Sequence, residues 1–335
     1  MLEAIEQREL IVLDGLGDRL QGTCHRPADC RSSSSPGYSF QGRPGILFLN
    51  SLSLPRAASG DSAVQWADSI AARGYPSFRV DLPGLGDSQG EASTDLLDFI
   101  NAGGFAPAAA AAIQQLVERF GLSGTVLFGH CAGSVSAVYA AAASKDCKGL
   151  ILLDPYFHLP QAKRPRMREG LSDWARRSTI GGLLSNLFDR ARKLLLLLQG
   201  SQPPGNANTE LLAHWKQLAA TGVPILLLKA PGIKAQGSKP RVGEFDYIDH
   251  VVKLAGRKSR VLVEFVECAD HSFANREGRE AVRQHIENWL DTLFPLANFQ
   301  AGLAAAAPLR ANEGKTDAKD SKAVPADRVC ALEGR

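Results

Sequence analysis

The chain has no long apolar run. Leu194–Leu198 falls far short of the roughly 18 consecutive apolar residues that a membrane-spanning helix requires, so no membrane span is expected. It also has no paired cysteines: the six, at positions 24, 30, 131, 147, 268 and 330, show neither a C-x-x-C spacing nor a regular framework. That argues against a zinc ribbon or a disulfide scaffold and leaves reduced thiols as the default. Net charge is nearly absent. Against 38 basic residues stand 35 acidic ones, giving +3, too little for the sustained basic field that a nucleic acid or an anionic membrane partner would need. The short basic run Lys163-Arg-Pro-Arg-Met-Arg168 reads as a solvated loop. The opening residues Met1-Leu-Glu-Ala-Ile-Glu-Gln-Arg-Glu9 carry early acids and lack the basic stretch and apolar core of a secretory signal, so a cytoplasmic location is expected. Finally, Gly84-Leu-Gly86 lacks the third glycine and the helix start of a dinucleotide fingerprint, and no metal or organic cofactor is called for.

What is present is enough material for one large α/β domain with an insertion: 335 residues, 44% hydrophobic and 22% charged. Strand-like apolar runs recur at Glu9–Leu13, Gly45–Asn50, Pro76–Val80, Thr125–Gly129, Gly149–Leu153, Pro224–Leu228 and Arg260–Val266. Several are short and nearly continuous, as in strands buried on both faces of a parallel sheet. Helical stretches lie between them, at Ala63–Arg73, Pro107–Phe120, Val135–Ser144 and Glu277–Phe294. In the last, Val282, Ile286, Trp289, Leu290 and Leu293 fall at helical spacing and read as core. The alternation predicts an open, mostly parallel, doubly wound sheet. Its core spans residues 1–154 and 223–300. Residues 155–222 are too long for a simple crossover and are read as a helical cap above the strand ends, and 301–335 as a disordered tail poor in large apolar residues. Arg31-Ser-Ser-Ser-Ser-Pro-Gly37 reads as a flexible tip between two early antiparallel strands.

Chemistry concentrates at Thr125-Val-Leu-Phe-Gly-His-Cys-Ala-Gly-Ser134, a buried strand, a Gly-x-Cys-x-Gly turn and the start of an Ala-rich helix. A strand turning sharply into a helix strains its apex residue, and only hydrogen side chains at Gly129 and Gly133 clear that apex. Cys131 would project from the top of the sheet at a helix N-terminus, where free amides and the helix dipole favour a thiolate. An inert structural cysteine fits the five-residue pattern as well. The strand before it and the helix after it favour a nucleophile.

A thiol nucleophile needs a base, and His271 follows the last strand and precedes the final helix. Loops at the C-terminal strand ends of an open α/β sheet converge on one crevice, which brings such a histidine toward Cys131. His130, beside the cysteine, points elsewhere once the turn forms and is read as a packing residue near the site. The acid that orients the imidazole is ambiguous. Asp154 ends the strand after the turn, and Asp246 follows the Pro224–Leu228 strand after a loop; Asp154 is placed ahead of Asp246, with Asp249 a distant third. A strand-end turn residue would explain Asp154 equally well. An oxyanion would be held by the backbone amide of Ala132 together with one near Ser51 or Leu52.

These residues carry a resemblance. Gly74-Tyr75-Pro76, Asp81-Leu-Pro-Gly-Leu-Gly-Asp-Ser88, Gly129-His-Cys-Ala-Gly133, Leu152-Leu-Asp-Pro155 and Ala269-Asp-His-Ser-Phe273 together resemble the α/β-hydrolase superfamily over roughly residues 10 to 296. Within it the chain is most similar to the serine aminopeptidase-like branch, particularly the hydrolases associated with bacterial exosortase and exopolysaccharide loci, some of which place Cys at the same turn. The resemblance implies a cofactor-free acyl transfer or hydrolysis, with Cys131 as nucleophile, His271 as base and Asp154 or Asp246 as acid. Three departures accompany it: cysteine replaces serine, the loop after Asn50 is atypical, and Lys229-Ala-Pro-Gly-Ile-Lys234 holds no carboxylate where the family places its acid. Three functions follow. The first is an esterase or thioesterase acting on a small or carrier-bound acyl substrate; the second, an acyltransferase using the same acyl-thioester; the third, a silent fold serving as a binding protein.

Overall fold

The computed structural model describes residues 8–27, 40, 42–160, 203–231 and 245–296. Eight strands form one sheet: β1 (Arg8–Asp14), β2 (Arg19–His25), β3 (Pro44–Phe48), β4 (Ser77–Val80), β5 (Gly124–His130), β6 (Cys147–Leu153), β7 (Ile225–Lys229) and β8 (Val261–Phe265). Their order is β1-β2-β4-β3-β5-β6-β7-β8. β1 and β2 form an antiparallel hairpin, β2 runs antiparallel to β4, and the rest of the sheet is parallel.

The central strands are buried on both faces, with side chains alternating between two cores. Leu47, Leu127, Leu150, Leu152, Ile225 and Leu227 face one side, and Ile46, Phe48, Val126, Phe128, Ile151, Leu153, Leu226 and Leu228 face the other. Covering the second face are α1 (Ser62–Ala72) and α7 (Arg276–Leu293), which pack on each other and contribute Trp66, Ile70, Val282, Ile286, Trp289 and Leu290. α3 (Ala106–Phe120), α4 (Ala132–Ala143) and α5 (Thr209–Ala220) cover the first, with α2 (Leu96–Asn101) and α6 (Tyr247–Ala255) alongside. α4 is buried on every side, and its small residues let it lie close against β5 and β6.

The expected doubly wound sheet is therefore present, with two revisions of detail. The strand β2 adds an antiparallel pair at the sheet edge, and its turn to β1 lies at residues 15–18. β2 and β3 are not neighbours, because β4 lies between them. The tip read at 31–37 lies outside the described residues. So do residues 161–202, most of the segment read as a cap, and the tail 301–335. The end of that segment that is described, α5, packs against α4. Trp215 there is fully buried, stacks edge-on against Phe157 and donates its indole N–H to the Val251 carbonyl at 2.9 Å. It belongs to the core. Among the described residues no helix is long and apolar enough to cross a membrane.

Candidate active site

The order of the strands dictates where a site forms. From β3 the chain leaves through α1 on one face and steps to β4, whereas from β5 it leaves through α4 on the other face and steps to β6. The loops after β3 and β5 thus part company and open a crevice at the C-terminal edge of the sheet.

Cys131 stands at this point, between β5 and α4, with φ 52° and ψ −115°. A non-glycine residue held there stores about 1–3 kcal/mol of strain, which the surroundings must offset. Three hydrogen bonds do so: the Cys131 amide donates to the Leu153 carbonyl at 2.9 Å, and the Ser134 hydroxyl donates to the carbonyls of Gly129 at 2.8 Å and Leu153 at 3.2 Å. The glycines are sterically required. A Cβ on Gly129 would lie 2.3 Å from the Gly133 carbonyl oxygen, and one on Gly133 would lie 2.7 Å from the Asn50 carbonyl oxygen. This second approach matters for chemistry, because it brings the start of α4, with the Ala132 amide, against the loop carrying Ser51 and Leu52.

That loop is built around a buried carboxylate. Asp81, fully buried at the end of β4, accepts from Asn50 Nδ2 at 2.8 Å and the Arg56 amide at 2.7 Å through one oxygen. Its other oxygen takes the Arg56 guanidinium at 2.5 Å and the Asp87 amide at 3.2 Å. Asn50 Oδ1 in turn accepts from the Leu82 amide at 2.8 Å. The loop is held on both flanks of Leu52, which adopts φ 52°. The Gly84-Leu-Gly86 motif belongs to this arrangement, since a Cβ on Gly86 would lie 2.3 Å from Asp81 Oδ2. The sequence did not reveal the network; its only trace was a carboxylate one residue beyond an apolar strand.

His271 lies in the loop after β8. Its Nδ1 hydrogen-bonds Asp154 Oδ2, and Cys131 lies close enough to act on the ring as well. With Nδ1 committed to the acid, Nε2 is the nitrogen left for the thiol. The bond to Asp154 first and the interaction with Cys131 second push the His271 imidazole up to about 10 against the opposing effect of burial. Asp154, only 7% exposed, has φ 43° and is tied down through its amide to the Leu228 carbonyl at 2.7 Å. Burial works against its charge, but hydrogen bonds from His271 and Lys229 outweigh this and hold the carboxyl below its ordinary range.

The competing acid is engaged elsewhere. Asp246 caps α6, accepting from the amides of Ile248 at 2.9 Å and Asp249 at 3.1 Å, while Asp249 pairs with Lys253 on the same helix. His130 packs beside His271 and does more than fill space. Its Nε2 lies 2.7 Å from the His271 carbonyl oxygen, and its ring stands 5.4 Å from that of His271 and 5.6 Å from Phe273. Burial lowers its pKa, so the ring is neutral and donates from Nε2, holding the loop that carries His271. The Tyr156 hydroxyl is buried with no hydrogen-bond partner among the described residues, and burial together with nearby Cys131 pushes it up to about 12.

The family model of the alpha/beta hydrolase fold matches residues 41–216. Among solved structures, the alpha/beta hydrolase GrgF from Penicillium sp. sh18 superposes with a TM-score of 0.55 at 15% identity, covering 86% of this chain and 99% of that one. The Pyrococcus furiosus esterase PF2001 gives 0.54 at 11% identity over 88% and 94% of the two chains. DcsB, solved in complex with its substrate analogue, gives 0.52 at 13% identity over 85% and 99%. At such identities the likeness is one of fold. No curated protein matches the sequence. The family match covers more than half of the chain, and it meets an open, mostly parallel sheet with a strained strand-to-helix turn at the crevice: the chain belongs to the α/β hydrolase fold family.

Proposed function

We propose that this chain hydrolyses acyl esters or thioesters through a covalent acyl-cysteine, with Cys131 as nucleophile, His271 as general acid and base, and Asp154 as the orienting acid. The observation that carries the reading is that one imidazole, at the open edge of the sheet, bonds a buried carboxylate and stands beside the strained cysteine.

The reaction needs side chains and backbone alone. With the Cys131 proton held on His271 Nε2, the sulfur attacks the acyl carbon. The carbonyl oxygen becomes an oxyanion, which the Ala132 amide and an amide near Ser51 or Leu52 receive. Collapse breaks the bond to the leaving group, which takes the proton from His271 and departs as alcohol or thiol. Water then gives a proton to His271 Nε2 and attacks the thioester carbon. The second collapse expels Cys131 sulfur, which recovers that proton, and releases the carboxylic acid. Through both halves Asp154 keeps Nδ1 protonated and facing it, so that Nε2 remains the working nitrogen.

Cys131→Ala is expected to abolish turnover of short acyl thioesters; retained turnover overturns the assignment. The acyl group's carrier, whether a small alcohol, a protein-bound thiol or a carbohydrate of the exopolysaccharide type, is part of the proposal and is read by offering each. A second reading has its own support. An acyl-thioester is reactive toward amines and thiols as well as water, so the same set can serve an acyltransferase. Release of the acyl group accelerated by added amine or thiol supports that reading, and release insensitive to both supports hydrolysis.

A further inference from the structure

β6 and β7 run parallel and in register, with Leu153 beside Leu228. One residue further on, both strands reach the crevice, Asp154 on one and Lys229 on the other. The Lys229 ammonium contacts Asp154 Oδ1, and His271 Nδ1 takes Oδ2, so that each carboxylate oxygen has one cationic partner. The lysine therefore occupies the strand end where a carboxylate was expected, and the carboxylate stands one strand away.

We propose that Lys229 is a positioning residue for the acid of this site, pinning Asp154 Oδ1 so that Oδ2 faces His271 and sharing the carboxylate's charge so that His271 can give up its proton. The inference rests on the Cys131, His271 and Asp154 assignment above.

Two physical arguments carry it. An aspartate side chain held at one oxygen turns about its own bonds, and a second hold at the other oxygen removes that freedom without touching the histidine. The electrostatic argument concerns the two halves of the reaction. The imidazole must carry a proton to the leaving group and must then be neutral to take one from water. A nearly buried carboxylate with no other partner would favour the imidazolium throughout, stalling the second half. A cation on the far oxygen moderates that preference.

The other groups facing this pair do not supply that charge. His130 packs tilted beside His271 and burial lowers its pKa, leaving it neutral; His158, near Lys229, is lowered by burial and by that lysine. Tyr156, near Cys131, stays protonated at neutral pH, and Cys131 carries no positive charge. Among these described groups, Lys229 is the cation set against Asp154.

The test acetylates the enzyme with p-nitrophenyl acetate, follows loss of the acetyl group by intact-protein mass spectrometry from pH 5 to 10, and titrates His271 by NMR. Lys229→Met removes charge and contact, Lys229→Gln keeps a donor without the charge, and Lys229→Arg keeps both. The expected result is deacetylation at neutral pH slowed about 10-fold in Lys229→Met, with the His271 titration midpoint moved to higher pH. Lys229→Gln shows the midpoint shift with a smaller loss of rate, and Lys229→Arg behaves as the native protein. A midpoint and rate unchanged in both uncharged variants, while native Cys131 still forms its adduct, overturn the role of Lys229 alone and leave a salt bridge that ties β6 to β7. If native Cys131 forms no adduct, the assignment beneath it falls and this inference with it. NMR spectra of the native fold in Lys229→Arg and Lys229→Gln keep the test decisive if Lys229→Met does not fold.

Discussion

At the scale of single residues, the two candidate acids make opposite predictions. Asp154 faces the imidazole, whereas Asp246 spends its carboxylate on the first turn of α6. Asp154→Asn removes the charge and permits the wrong imidazole tautomer, so kcat for p-nitrophenyl acetate should fall by about 100-fold or more with little change in KM. Asp246→Ala should leave kcat within about twofold and cost about 1 kcal/mol of stability through the lost cap, read by urea unfolding. The reverse pattern would exchange the roles of the two acids. Side-chain identity alone did not settle this. Both aspartates follow strands, and what separates them is where each carboxylate finds its partner. Lys229 was legible as a missing acid but not as a partner, because its pairing depends on the register of β6 with β7.

At the scale of elements, the turn at Cys131 and the loop after β3 form one unit, joined where Gly133 meets the Asn50 backbone. Gly133→Ala would force that loop away from the Ala132 amide and is expected to lower kcat even in protein that remains folded. Asn50→Ala tests the loop from the other side. It removes the bonds to Asp81, Leu54 and Leu82, should cost about 1–3 kcal/mol and should reduce kcat far more than it changes KM, as the proposed service of the loop to the oxyanion rather than the ground state requires. Unchanged kcat in a folded Asn50→Ala variant would remove the loop from the chemistry. The strand-to-helix turn itself was readable from Gly129, Cys131 and Gly133, because only a sharp turn requires small residues at that spacing. The helices α2 and α6 were not, and α5 was read only as part of the helical segment 155–222, without its bounds. α2 and α6 are short, and tertiary packing sets their position. β2 escaped for a related reason: Arg19-Leu-Gln-Gly-Thr-Cys-His25 mixes polar and apolar residues without a clean period, and it is held by pairing to β1 and β4.

At the scale of the whole molecule, the two-sided sheet was legible because its central strands read as continuous apolar runs, which only burial on both faces explains. The long-range polar ties were not. His25 on β2 is almost fully buried between Asp68 of α1, whose carboxylate lies 2.7 Å from Nδ1, and Arg79 of β4, which donates to Nε2 at 2.8 Å. Burial first, then Arg79, lower its pKa against the pull of Asp68, so folded His25 stays neutral where the unfolded chain takes up a proton. Stability from this group is present above about pH 6.5, the ordinary histidine value, and is lost as pH falls below it. His271 has the opposite sign, contributing below that value and losing its contribution as pH rises toward about 10. Thermal unfolding should therefore show Tm falling from pH 7 to pH 5, and His25→Asn, which keeps one donor and one acceptor but does not titrate, should flatten that slope. A slope unchanged in His25→Asn would move the cause to other groups.

The most direct test of the central claim is intact-protein mass spectrometry after brief mixing with p-nitrophenyl acetate, comparing the native chain with Cys131→Ala and His271→Ala. The account predicts one acetyl group on native Cys131, none at that position in Cys131→Ala, and formation slowed at least about 100-fold in His271→Ala. An adduct on Cys131 that forms equally fast without His271, or no adduct on Cys131 in a native protein that still turns over the ester, would contradict it.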